Sequence, residues 1–199
     1  MSADSLPLRC VCGALQGALA AVAEPRTRGR CYCNDCRAYG VWLGRDDVLD
    51  AHGGTEVVQT WPSRVRLTAG VEQVRLMKLS PKGLHRWFAG CCRTPIANGF
   101  GPGRAPFLGL QARFVAPDAR PRLDELFGAA HGVQGRFAPG GCPPGVHASA
   151  SAGILWAATG MLVRGLWAGG HAPHPLFSPD GTPIATAEVL TAEARAALE

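Results

Sequence analysis

The chain has 199 residues, 47% of them hydrophobic and 18% charged, a balance that excludes a disordered protein and supports one globular domain with or without an appendage. It is long enough to bury a core without disulfide staples. Its formal charge of +5 rests on 20 cations, of which only Lys78 and Lys82 are lysines; the arginines run from Arg9 to Arg195 with no dense cluster, so no nucleic-acid stripe is expected.

The opening MSADSLPLRCVCG has an acidic residue and no apolar run, unlike a secretory signal, and a cytoplasmic chain is expected. In a reducing compartment eight cysteines point to metal binding or catalysis rather than to disulfides. From Leu6 to about Phe114, short apolar runs broken by Gly, Pro and polar turns read as mainly β. Alternation over Arg64–Ala69, a turn at Gly70 and a run from Val71 to Leu79 predict a hairpin. A turn at Pro81–Gly83 leads to a third strand, Leu84–Ala89, which runs into Cys91 and Cys92, and Pro106–Val115 is a further strand.

Residues 1–116 are therefore expected to form a zinc-binding β domain, and 117–199 a Gly/Pro-rich loop with a small helical extension. That extension comprises a short helix over Arg122–Ala130, a loop Gly132–Gly145 carrying Cys142, an apolar helix within Ser149–Gly169 and a short helix over Thr191–Leu198. The apolar helix has no polar face and is expected to be buried. Packing against the β domain is the first expectation and a homodimer interface through residues 150–169 the second. Membrane attachment comes last, because Arg164, Gly153, Gly160 and Gly165 interrupt the run.

The chemistry is concentrated in the cysteines. Cys31-Tyr32-Cys33-Asn34-Asp35-Cys36 places three thiols within six residues, and they converge on one ion if the chain curls around it. Zinc suits thiolate ligands, and three protein ligands leave a fourth position open, as in catalytic zinc sites. A fourth ligand from elsewhere would close the site, and a metal-free redox cluster is the other alternative. Cys10-Val11-Cys12-Gly13 is a half-site whose two side chains share one side of an extended segment. Cys91 and Cys92 arrive some eighty residues later to complete it; because successive side chains diverge in a strand, either both bind or one is a ligand and the other a spare buried thiol. Cys142, isolated in its loop, reads as an incidental thiol.

These residues, Cys10-x-Cys12-Gly13, Cys31-x-Cys33-x-x-Cys36-Arg37 with Gly40, and Cys92-x-Thr94-Pro95, resemble the glutathione-dependent formaldehyde-activating enzyme family, which includes centromere protein V. The resemblance spans residues 10–95 and points to a bacterial branch with a C-terminal extension. It implies an Mss4-like β fold with a structural zinc on Cys10, Cys12 and Cys92 and a second zinc on Cys31, Cys33 and Cys36, hence one or two zinc ions per chain. The late motif departs from the family's Cys-x-x-Cys-Gly-Thr: Ala89 stands at the first cysteine and Arg93 at the glycine, so the fourth structural ligand is missing or has moved to Cys91.

The expected function is a carbon–sulfur lyase of the S-hydroxymethylglutathione synthase type, with glutathione or a similar small thiol as partner. The alternative is a non-catalytic zinc-stabilised binding module. Asp35 is a candidate proton acceptor or ligand-orienting group, and His85 is the histidine nearest a cysteine site. Arg37, Arg93 and Arg104 are candidates for the carboxylates of an anionic thiol. The glycine-rich stretch Gly99–Arg104 lacks the Lys-Ser/Thr of a phosphate loop and reads as a strand connection.

Overall fold

In the computed structural model, which describes residues 5–101 and 105–198, alternating short apolar segments pair into two sheets, and the mainly β expectation is met. The smaller sheet has three antiparallel strands: β1 (Ser5–Arg9), β2 (Gln16–Ala20) and β5 (Val65–Ala69). The larger sheet is built on an antiparallel run of six strands, in the order β3 (Arg28–Cys31), β4 (Thr55–Thr60), β9 (Leu108–Gln111), β8 (Pro95–Gly99), β7 (His85–Ala89) and β6 (Val74–Lys78). Both of its edges come from the C-terminal stretch, where β10 (His131–Val133) adds parallel to β3 and β11 (Ala187–Val189) parallel to β6.

Strand alternation divides the buried side chains between two cores. Trp87 and Ala89 of β7 point with Val58, Leu76, Ala97, Leu108 and Leu110 toward Leu6, Leu8 and Leu19 of the small sheet, and Leu123, Phe127, Leu176 and Phe177 close the same core. Phe88 points the other way, with Met77 and Leu79, and meets Ala38, Tyr39 and Leu43 of helix α1 (Asn34–Leu43). Helix α1 is absent from the sequence reading. Its stop is Gly44, in the left-handed conformation at φ 62°, and its start is capped by Cys33.

The expected 64–79 hairpin does not form. β5 pairs with β2 in the small sheet, whereas β6 pairs with β7 in the large one. Gly70, at φ 69°, followed by a 3-10 turn over Val71–Gln73, carries the chain from one sheet to the other. A Cβ at Gly70 would overlap the Ala14 carbonyl oxygen in a backbone conformation that L residues avoid. Gly70→Ala is expected to lose about 1–3 kcal/mol, read as a lower midpoint in thermal denaturation with an unchanged β-type circular dichroism spectrum.

The burial expected for the apolar helix is corrected by α3 (Ala152–Trp167), which docks along a narrow stripe. Its buried residues are Met161 and Gly165, and Gly165 is needed because a Cβ there would come within 2.8 Å of both Pro106 and Trp61. Trp61 donates its indole N–H to the Met161 carbonyl at 3.0 Å, and Arg164 pairs with the buried Glu24 at 2.8 Å. Trp156 and Trp167 are 82% and 90% exposed. No helix among the described residues is long and apolar enough to cross a membrane. The remaining helices are α2 (Arg122–Phe127) and α4 (Ala192–Ala196).

Candidate metal centres

The first centre joins two hairpin tips. Cys10 and Cys12 flank a turn after β1, closed by the Gly13 N–H on the Cys10 carbonyl at 2.9 Å, with Gly13 at φ 81°. Cys91 and Cys92 occupy the turn between β7 and β8, where the Arg93 N–H donates to the Ala89 carbonyl at 2.7 Å and Arg93 takes φ 56°. Because the chain turns here instead of extending, the two adjacent thiols do not diverge. Sulfur separations are 3.6 Å for Cys10–Cys12, 3.8 Å for Cys10–Cys91, 3.3 Å for Cys12–Cys91 and 3.7 Å for Cys91–Cys92, and all four thiols lie within 4.8 Å of one another. A tetrahedral ion with Zn–S bonds of about 2.3 Å requires edges of about 3.8 Å, so this group can hold a metal ion.

Donors around this centre favour a thiolate at Cys92. Burial opposes ionisation of Cys92, yet Thr94 and the backbone N–H groups of Cys12 and Thr94 outweigh it and bring the thiol down to about 6. Cys10 and Cys91 are pushed up, chiefly by burial. Thr94 also accepts from the Val11 N–H at 3.0 Å, and Arg45 donates to the Cys92 carbonyl at 3.0 Å, tying the tips together.

The second centre forms where β3 runs into α1. Cys31 ends the strand, Cys33 accepts the Cys36 N–H at 3.4 Å as the helix cap, and Cys36 lies in the first turn. The three sulfurs lie within 4.8 Å of one another, and among the described residues no fourth Cys, His, Asp or Glu ligand atom lies that close to all three. This group too can hold a metal ion. Contacts from the Cys31 and Cys33 thiols hold Cys36 well below the usual thiol range against the effect of burial, with the Arg86 guanidinium adding to the shift. Cys31 is pushed up by sharing protons with the other two, and by burial. The positive end of α1 favours negative charge at the same place.

Arg86, which carried no role in the sequence reading, is 1% exposed on the α1 side of the large sheet. It faces Cys36 and the Tyr39 ring, with Asp35 3.7 Å from its Nη2. A fully buried arginine is the cation that a thiolate group in low dielectric calls for. Among the described residues its Nη1 has no hydrogen-bond partner, and the same holds for Thr55 Oγ1, opposite Cys31 in register, for Gln111 Nε2, and for Asn98 Oδ1, opposite Arg86 in register. Strand pairing places all four residues on one sheet face, and buried polar atoms of this kind call for water or ligand partners.

Other candidates have different duties. Asp35 accepts from Arg195 of α4 at 3.0 Å, so the C-terminal helix reaches across to the second centre, where Leu198 also packs on the α1 core. Arg37 donates to the Phe137 carbonyl, and Arg93 donates to the Leu43 and Trp42 carbonyls while lying 4.3 Å over the Trp42 ring. Arg37 thus braces a loop and Arg93 ties its turn to the C-terminal end of α1, and Arg104 lies outside the described residues. His85 lies parallel to the Trp87 ring and meets Phe177 edge-on. Cys142 points at the Val146 carbonyl, 3.2 Å away, and joins neither centre.

The comparisons identify a family without assigning an activity. The chain belongs to the family of unknown function DUF6151, which matches residues 1–188. No curated protein matches it. Among solved structures it is similar to a protein of Rhodobacter sphaeroides from a structural-genomics programme, at 19% identity and a TM-score of 0.41, over 57% of this chain and 93% of that one.

Proposed function

We propose that this DUF6151 chain is a two-zinc protein in which the Cys10, Cys12, Cys91 and Cys92 site is structural and the Cys31, Cys33 and Cys36 site binds a small thiol. The observation that carries this reading is the contrast in ligand number: four converging thiols at one centre, three at the other. A closed four-ligand site stabilises a fold, whereas a three-ligand site offers a position to substrate. Zinc held by Cys31, Cys33 and Cys36 would supply a Lewis-acidic position at which a thiol ionises near neutral pH.

The sequence resemblance to glutathione-dependent formaldehyde-activating enzymes supplies the reaction class, carbon–sulfur bond formation and cleavage. In the forward direction a thiol adds across an aldehyde C=O: a C–S bond forms, and the thiol proton ends on the former carbonyl oxygen. The reverse breaks that C–S bond and returns thiol and aldehyde. Within this chain Arg86 offsets the negative charge of the cysteine ligands, and the Asp35–Arg195 pair holds α4 over the helix start.

Cobalt-substituted protein tests the reading. Adding glutathione or 2-mercaptoethanol is expected to shift the visible cobalt bands in wild type and to leave those of Cys36→Ser, which keeps the four-thiol centre, unchanged. Bands insensitive to thiol in every variant would mean that both centres are closed. A second reading, a non-catalytic module whose α3 recruits a protein partner, draws on the exposure of Trp156 and Trp167, and thiol-insensitive bands would favour it.

A further inference from the structure

Arginines remote in sequence meet on the tertiary fold. Arg28, Arg30, Arg113 and Arg120 line an open groove of about 270 Å³ that also contains Asp50, Glu56 and the apolar Leu123. A smaller pocket, which includes Arg9, Arg45 and Asp47, adjoins it, with Arg113 and Arg120 lining both.

The carboxylates here are already engaged. Glu56 takes Arg28 at 2.8 Å and Arg30 at 3.3 Å, and Asp50 takes Arg30 at 3.5 Å. Asp47 is bound by both Nε and Nη2 of Arg45, at 3.0 and 2.9 Å, and reaches Arg113 only at 4.0 Å. Arg120 forms no ion pair among the described residues. Its Nε and Nη2 donate to the Val115 and Arg113 carbonyls at 3.1 and 3.2 Å, which holds its guanidinium beside Arg113. Burial, followed by the Arg113 charge, presses its proton affinity down. The Arg120 guanidinium fixed on backbone carbonyls, and the Arg113 guanidinium that lines the same groove with Asp47 only at 4.0 Å, offer the forked donors that planar or tetrahedral oxyanions satisfy.

We propose that this groove binds a small oxyanion carrying at least two negative charges, a phosphate ester or a polycarboxylate. Its volume lies just below the range of drug-sized ligand pockets, which suits a small metabolite. The site does not include the three-cysteine centre and stands whether or not that centre binds thiols.

Calorimetric titration of the full chain with inorganic phosphate and, separately, with citrate tests it, ionic strength being balanced with chloride. Saturable heat is expected for at least one of the two; phosphate alone would identify a phosphate ester as the ligand class, citrate alone a polycarboxylate. Arg113→Ala and Arg120→Gln are each expected to weaken binding at least tenfold, while Arg66→Ala, outside the groove, leaves it unchanged. Arg113 is 42% exposed and among the described residues has only the 4.0 Å pair, so its variant carries the test if Arg120→Gln fails to fold. Heats no larger than those with chloride, or binding unaffected by Arg113→Ala, would overturn the proposal.

Discussion

Purified without added metal, the wild-type protein is expected to carry close to two zinc ions per chain, and Cys36→Ser close to one. Cys91→Ser and Cys92→Ser are each expected to lose the other ion, because both sulfurs belong to the four-thiol group. The two losses should differ in their effect on the fold. The four-thiol centre ties the tip after β1 to the turn between β7 and β8, some eighty residues away, and structural zinc in small domains contributes about 10–16 kcal/mol of apparent binding energy to folding. Loss there should unfold the protein or lower its thermal midpoint by tens of degrees, whereas loss at Cys36 should lower it far less. Elemental analysis with differential scanning calorimetry reads both. A Cys91→Ser variant that keeps two ions would show that Cys91 is spare.

The second large effect is expected at Arg86. Arg86→Met removes a fully buried cation facing Cys36 and Asp35 while keeping much of its volume. Stripping a buried charge of its partner costs about 3–5 kcal/mol, which at 150–250 residues corresponds to a fall of roughly 6–20 °C in thermal midpoint. The half-exposed Asp35 adds little to that figure, since it keeps Arg195 and water. The variant should also release metal from the three-cysteine centre at lower chelator concentration than wild type, with Arg86→Lys intermediate. A purely packing role for Arg86 would lower the midpoint and leave chelator sensitivity unchanged.

The legibility of this molecule followed the range of the interactions. Thiol spacing is local, so Cys31, Cys33 and Cys36 could be read as one group; the turn that caps α1 brings them together within six residues. The β class was legible because alternation and turn residues act over a few positions. Helix α1 was not, because a ten-residue helix held by Tyr39 and Leu43 draws its stability from the sheet beneath rather than from its own pattern. The apolar pattern of α3 indicated burial, yet only the Met161 and Gly165 stripe found a surface to cover it.

By itself the sequence determined the secondary-structure class, the two cysteine groups and the absence of any local cationic cluster, because each depends on residues near one another in the chain. Tertiary structure decided that Cys91 and Cys92 sit in a turn where both thiols can face Cys10 and Cys12, that Arg86 is buried against Cys36, and that Arg28, Arg30, Arg113 and Arg120 line one groove. Those outcomes rest on strand register and sheet order. Register turns a side chain to one face or the other with each single-residue step, and the pairing partners that set it lie tens of residues away.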